Sequence, residues 1–181
     1  MAGGITDELA KLKVLRGADF VRQLKAIVVR KEFHPLDTDP NIFIVGGEQD
    51  DDYPSLISAA RKAVEHGYKV YILPNPHDFR TADFIFERKG VYGIYDLKTI
   101  YGKNSVESQL LDSIDQSNRV LLNMIGDYNA RILASDIKSY FQTNREAVEV
   151  LIFKGKRAIS VTRYQVEASM FNRLFRKYYE Q

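Results

Sequence analysis

Apolar positions along this chain of 181 residues alternate between a helical and a strand period. Residues 5–33 place Leu9, Leu12, Phe20, Leu24 and Ile27 on a broken helical stripe, which Gly17 divides into two helices. Residues 42–45 are a short apolar run between a loop with Pro35 and Pro40 and the pair Gly46-Gly47. Leu56, Ile57, Ala60 and Val64 form the next stripe, with Pro54 in its first turn and Gly67 as its C-cap. Residues 69–73 read as a strand stopped by Pro74-Asn-Pro76, and two β-prone runs then flank Lys89-Gly90 within residues 81–98. Asn104 with Glu107 opens a helix expected to bury Val106, Leu110, Leu111 and Ile114. Residues 119–125 are almost continuously apolar, which predicts a central strand. A helix over 129–143 is expected to bury Ile132, Leu133, Ile137 and Phe141. Residues 148–153 and 157–161 form a second hairpin around Lys154-Gly-Lys156. The C-terminal helix is expected to turn Val166, Met170, Leu174 and Tyr178 inward and Arg173, Arg176 and Lys177 to solvent.

The order helix, three strands, helix, strand, then additions predicts an α/β fold, a central mixed β-sheet with helices packed against it. The expected division is an N-terminal helical arm or linker, 1–47, joining the domain to a larger parent protein or packing on it, and a domain over 48–181. Composition changes this picture little: 45% hydrophobic and 28% charged residues suit a soluble globular chain. No apolar run nears the ~20 residues of a membrane span. With no cysteine, thiolate metal sites and cysteine nucleophiles are excluded. Net charge is only +2, but seven Lys or Arg against two Glu from Lys154 to Gln181 permit phosphate contacts. The acidic run from Glu48 to Asp52 reads as a solvated loop.

Candidate chemistry gathers at the Lys89-Gly90 hairpin. A two-residue loop pairs Arg88 with Val91 and sets Asp83 opposite Asp96, their Cβ atoms ~5 Å apart. A loop of three or five residues slips the register by one and turns one strand over. Facing carboxylates repel unless a positive charge lies between them, and Lys98 shares a strand face with Asp96. Paired acids with an adjacent lysine make a site for a divalent cation acting on a phosphate.

Asp83, twelve intervening residues and then Asp96-Leu97-Lys98 resemble the PD-(D/E)XK nuclease motif, and the element order resembles that superfamily's restriction-endonuclease-like αβββαβ core. A closer resemblance covers residues 55–162. Gly67, Val70, Tyr71, Leu73, Ala82-Asp83, Asp96-Leu-Lys98, Ser105 and Gln116-Ser-Asn-Arg-Val-Leu-Leu122 are similar to the C-terminal tRNase domains of contact-dependent growth inhibition toxins. Related domains occur in phage head-morphogenesis proteins and on mobile elements. The resemblance implies Asp83 and Asp96 as metal-binding carboxylates, the Leu97 carbonyl as a further ligand, and Lys98 as the residue that positions water and stabilises phosphate charge. It also implies a carboxylate from the preceding helix, for which Glu65 is the candidate, and places Gln116 near the active site; a solvated face over Gln109, Asp112 and Gln116 is the alternative. Ala82 stands where the superfamily has proline. Lys103 and Ser105 are the candidate substrate contacts.

The expectation is a metal-dependent endonuclease using Mg2+, with Mn2+ or Zn2+ as alternatives, acting on nucleic acid and first of all on tRNA. An immunity protein or larger parent protein would be its partner, and it would act in the cytoplasm or after delivery into a target cell. Three alternatives stand beside it: a structural salt bridge between Asp83 and Lys98, a metal-free ribonuclease built on His34, His66 and His77, and a non-catalytic nucleic-acid-binding or structural module.

Overall fold

The computed structural model describes residues 4–47, 50–76, 78–102 and 105–181. It is an α/β protein with a mixed sheet whose hydrogen-bonded neighbours follow chain order from β1 to β8. Two compact units divide the chain between Tyr95 and Asp96, inside the fifth strand.

The first unit opens with α1 (Ile5–Ala10), a 3-10 turn (Lys11–Val14) and α2 (Gly17–Val28). Gly17, at φ 59°, makes the break. These helices are not a separable arm. Ile5, Leu9, Leu12, Leu24 and Ile27 share one core with Tyr71, Leu73, Ile85 and Ile94, so they pack within the first unit, which runs to Tyr95. The strands are β1 (Phe33–Pro35), β2 (Ile42–Val45), β3 (Lys69–Ile72), β4 (Phe84–Arg88) and the start of β5 (Val91–Ile100). β1 was not foreseen, since three residues are too short to show a period. Between β2 and β3 runs α3 (Tyr53–Glu65), which buries Ile57, Ala60 and Ala63. It ends in a Schellman turn: Gly67 sits at φ 89°, and the Tyr68 N–H donates to the Ala63 carbonyl at 3.1 Å.

The hairpin has the predicted register. Arg88 pairs with Val91, and the ladder runs to Phe84 opposite Tyr95. Lys89 and Gly90 have φ 53° and 79°, as a two-residue primed turn requires. Asp83 immediately precedes Phe84, and its N–H donates to the Tyr95 carbonyl at 3.0 Å.

In the second unit the rest of β5 pairs in parallel with β6 (Arg119–Met124), β6 with β7 (Glu149–Lys154), and β8 (Arg157–Thr162) closes antiparallel. The helices are α4 (Val106–Asp112), α5 (Ala130–Thr143), α6 (Arg163–Glu167) and α7 (Phe171–Tyr179). Strand β6 lies between two parallel neighbours and is buried on both faces from Val120 to Met124, as its apolar run predicts.

Several helix faces differ from expectation. Helix α4 buries Val106 and Leu110 and leaves Leu111 exposed; it ends at Asp112, so Ile114, also exposed, lies beyond it. Ser105, accepting from the Ser108 N–H at 3.4 Å, is its N-cap. Asn104, the expected cap, lies outside the described residues. Ile132 in α5 is exposed, and Ala130, Ala134 and Tyr140 join Leu133, Ile137 and Phe141 inside.

The C-terminal segment shows the largest shift. Ala168 takes an extended conformation, which splits one expected helix into α6 and α7 and resets the phase. Phe171, Phe175 and Tyr179 point inward; Met170, Leu174 and Tyr178 are exposed. The end of α7 is anchored by two cations from the β7–β8 hairpin. The Lys154 Nζ donates to the Tyr179 carbonyl at 2.5 Å, and Arg157 donates to the carbonyls of Tyr178 and Tyr179. Arg163 does the same for α5 through the carbonyls of Phe141 and Asn144 at 2.9 and 2.8 Å. Three cations of the basic tail are thus helix caps.

The loops after β5 and β6 meet backbone to backbone. The N–H groups of Ile125 and Gly126 donate to the Ile100 carbonyl at 2.8 and 3.1 Å. A Cβ on Gly126 would stand 2.3 Å from the Tyr101 carbonyl oxygen. Neither partner is a flexible side chain, so Gly126→Ala should destabilise the chain by about 2–3 kcal/mol in urea unfolding. An alanine variant as stable as the parent would contradict this close approach.

Candidate functional site

Alternation along β5 puts Asp96, Lys98 and Ile100 on one face. Ile100 is fully buried in the core with Val106, Leu110, Leu133 and Ile137, so that face is the one the helices α4 and α5 cover. Asp96 is therefore 2% exposed, although it is a carboxylate. The part of β5 that carries it pairs in parallel with β6, Asp96 opposite Val120.

Lys98 compensates the buried charge. Its ammonium lies 3.3 Å from Asp96 Oδ2 and 2.8 Å from Asp112 Oδ2. Asp112 is the last residue of α4 and its side chain is 53% exposed, against 12% for Lys98. The ammonium thus spans from a buried acid to a solvent-facing one. Burial alone would lower its pKa, but Asp96 and then Asp112 outweigh burial and hold it above the ordinary lysine value. At neutral pH Lys98 is a fixed cation. It is suited to attracting an anion and unsuited to accepting a proton.

A polar seam backs the pair. Tyr140 is fully buried, and the Asn144 Nδ2 donates to its hydroxyl at 3.4 Å. Burial raises the Tyr140 pKa, contacts with Asn144 and Ser113 lower it, and the charge of Asp96 raises it. Ser113 is itself buried, its hydroxyl donating to the Leu110 carbonyl at 2.6 Å.

Gln116 belongs to this group. It lies beyond α4, half-buried, with its Nε2 on the Asp112 carbonyl at 3.4 Å. The polar ridge expected through Gln109, Asp112 and Gln116 is therefore not one helix face, since α4 stops at Asp112. Ser105 caps the other end of α4, about 10 Å along the helix axis from Asp112, and is not brought into the group. Lys103 lies outside the described residues.

In the first unit Asp83 is half-buried, and its backbone is held on both sides: its carbonyl accepts from the Leu73 N–H at 2.9 Å while its N–H pairs with Tyr95. Glu65 is placed elsewhere. It ends α3 beside His66, whose carbonyl accepts from Arg88 at 3.2 Å, so it stands near the turn of the hairpin. Asp83 is at the opposite end, five residues from Arg88 or about 17 Å of strand. A helix that enters the sheet at the start of β3 cannot offer its last residue to the end of β3. Among the histidines, His34 lies exposed on β1, His66 caps α3, and His77 is outside the described residues.

Asp112 is the residue that sequence reasoning missed as a partner of Lys98. Its signal was the place of an acid near the end of the helix following the Asp-x-Lys strand, which only a fixed helix length turns into a contact. No group of three or more His, Asp or Glu able to hold a metal occurs among the described residues. No described helix is long and apolar enough to cross a membrane.

No protein-family model matches the chain, and no curated protein does so. Among solved structures the chain is similar to a CdiA-CT/CdiI toxin and immunity complex from Burkholderia pseudomallei, with 13% identity and a TM-score of 0.47. That match covers 65% of this chain and 92% of the other.

The pairing of Lys98 sets an expected pH response. A lysine whose folded pKa is raised above 10.5 contributes stability that is complete below that value and lost as pH rises through the folded pKa. Lys98→Met should cost about 3 kcal/mol at pH 7 by stranding the Asp96 charge. Denaturant titrations above pH 10.5 should show the parent losing this advantage over the variant; a gap that stays constant to about pH 12 would refute the pairing.

Proposed function

We propose that this chain is a metal-dependent endonuclease that hydrolyses phosphodiester bonds, with RNA, and tRNA first, as substrate. The observation that carries the reading is the Lys98 ammonium held between buried Asp96 and solvent-facing Asp112. A protonated lysine at the boundary of the interior is an anion receptor, and the anion of this chemistry is a phosphate whose charge grows during attack. Asp83 is counted with Asp96 on the resemblance of the Asp83…Asp96-Leu97-Lys98 spacing to the nuclease motif. The resemblance over residues 55–162 supports the RNA substrate, a toxin-like or mobile-element setting, and an immunity protein as partner.

The side chains on hand suit a hard cation. Carboxylates of Asp83 and Asp96 and the Leu97 carbonyl are oxygen donors. Mg2+ keeps several of its waters and takes only one or two carboxylates, so it does not need a cluster of three acids. Mn2+ and Zn2+ accept the same donors. When bound, the cation would supply positive charge to the scissile phosphate. Lys98 would neutralise a non-bridging oxygen and hold the phosphate against the buried carboxylate. Gln116, fixed on the Asp112 backbone, would orient substrate or water by its amide.

One observation favours a second reading. Lys98 is already compensated by two carboxylates, as a purely structural ion cluster in a non-catalytic module would be. The two readings part on one variant. Asp96→Asn should lower cleavage of a tRNA pool by about 10²–10³-fold or more, and a chelator should stop cleavage by the parent. A variant that cut tRNA at the parental rate would sink the proposal. A parent that cleaves neither tRNA, plasmid nor single-stranded DNA in millimolar Mg2+ or Mn2+ would leave the structural module.

A further inference from the structure

The N-terminal segment received no role from its sequence, yet it carries seven Lys or Arg between Lys11 and Lys31 against one acid, Asp19. Lys11, Arg22 and Arg30 are held by Glu8, Asp19 and Glu32. Lys13 is placed differently. Its ammonium lies 4.4 Å above the ring of Phe79, and a ring contact of this kind fixes the position of a charge without cancelling it. Arg16 is folded back beside it, with Nη1 donating to the carbonyls of Lys13 and Leu15 at 3.1 and 2.8 Å. The 3-10 turn is seated by Leu12, which shares the first unit's core with Leu73, Ala82 and the partly buried Phe79. Arg80, exposed, follows Phe79, and the acid of this loop is Asp78.

This loop leads directly to Asp83. The Leu73 N–H bond to the Asp83 carbonyl closes it, so Phe79 is by chain reach no more than about 14 Å from Asp83. We infer that Lys13, with Arg16 and Arg80, forms a ridge in the first unit that grips the RNA phosphate backbone along the loop leading to Asp83. The inference rests on the nuclease reading and gives the N-terminal helices a role in it, as carriers of the substrate-backbone contacts of the first unit. Lys13 is positioned over Phe79, Arg16 is folded beside it, and Arg80 follows Phe79 in the loop that leads to Asp83. The contact is one of charge with phosphate, so it reads the backbone and not the base sequence.

The test is binding without cleavage. Anisotropy of a labelled tRNA pool is measured with chelator present, using the full chain, at a series of salt concentrations. Lys13→Glu should weaken binding about tenfold, and Lys13→Gln should reduce the slope of log affinity against log salt by about 0.7, as loss of one phosphate contact requires. Lys31→Glu carries the same charge change on the same segment, after α2, and should alter affinity less than about twofold. Equal weakening by Lys31→Glu, or no effect of either Lys13 variant, overturns the ridge. Cleavage assayed in parallel separates the two claims. A parent that cleaves while Lys13 variants bind normally removes the ridge alone; a parent that binds through Lys13 but never cleaves removes the nuclease reading alone. A parent that binds no RNA removes both.

Discussion

The turn at Lys89 and Gly90 is the constraint on which the rest depends. Both residues hold positive φ, 53° and 79°, and the Gly90 N–H is further fixed by the Glu87 carboxylate at 2.9 Å. Glycine adopts this conformation freely, whereas lysine bears a cost that the primed turn's match to strand twist offsets. Every pair along β4 and β5 follows from it. Slipping the register by one residue would separate Phe86 from Tyr95, whose rings lie 4.8 Å apart, and turn Phe84 and Phe86 toward the face now occupied by Ile85. Those rings are fully or nearly fully buried, so the packing penalty reinforces the turn. Within the second unit, alternation from the buried Ile100 puts Asp96 and Lys98 on the face that α4 covers.

Burying Asp96 is expensive, and the chain shows how differently it treats each buried acid. Asp136 accepts from the Tyr128 hydroxyl at 2.8 Å, with burial raising its pKa and that bond lowering it. Glu149 pairs with Arg119 at 2.8 Å across neighbouring strands and also takes the Ser160 hydroxyl, which ties three strands together. Those two acids join elements, and their partners explain them. Asp96 is compensated by Lys98 at 3.3 Å, which also reaches Asp112 at the end of α4 and so ties β5 to that helix. A buried ion pair of this kind is often no more stable than well-packed hydrophobic residues, so the cluster is weak evidence for stability.

Much of this was legible in the sequence, for identifiable reasons. Strand β6 and the two hairpins were marked by runs of β-branched and apolar residues bounded by Gly or Pro, signals that need only local sterics. Gly67 marked the end of α3 because only glycine relaxes easily at the required φ. What failed needed lengths and phases that local pattern does not carry. Leu174 and Tyr178 fit an apolar stripe as well as Phe175 and Tyr179 do, and the extended Ala168 decided between two phases one residue apart. Glu65 failed for a topological reason: a helix antiparallel to its following strand ends where that strand begins. Asp112 was missed because its contact depends on α4 being seven residues long, no longer and no shorter.

The arrangement around Lys98 also resolves an apparent conflict in the proposed reading, that a lysine already flanked by two acids has no charge to spare for a phosphate. The two contacts are unequal. Asp96 is buried in a medium where charges interact strongly, so its hold on the ammonium is the durable one. Asp112, with 53% of its side chain in solvent, makes the shorter contact of 2.8 Å but is screened and hydrated, and a contact of that kind contributes at most about 1 kcal/mol. On the proposed reading, an incoming phosphate would compete first with the exposed partner. The ammonium would stay where Asp96 and the pairing of β5 with β6 have put it. Exchange at the surface with fixation from beneath is what a receptor for a reacting anion requires.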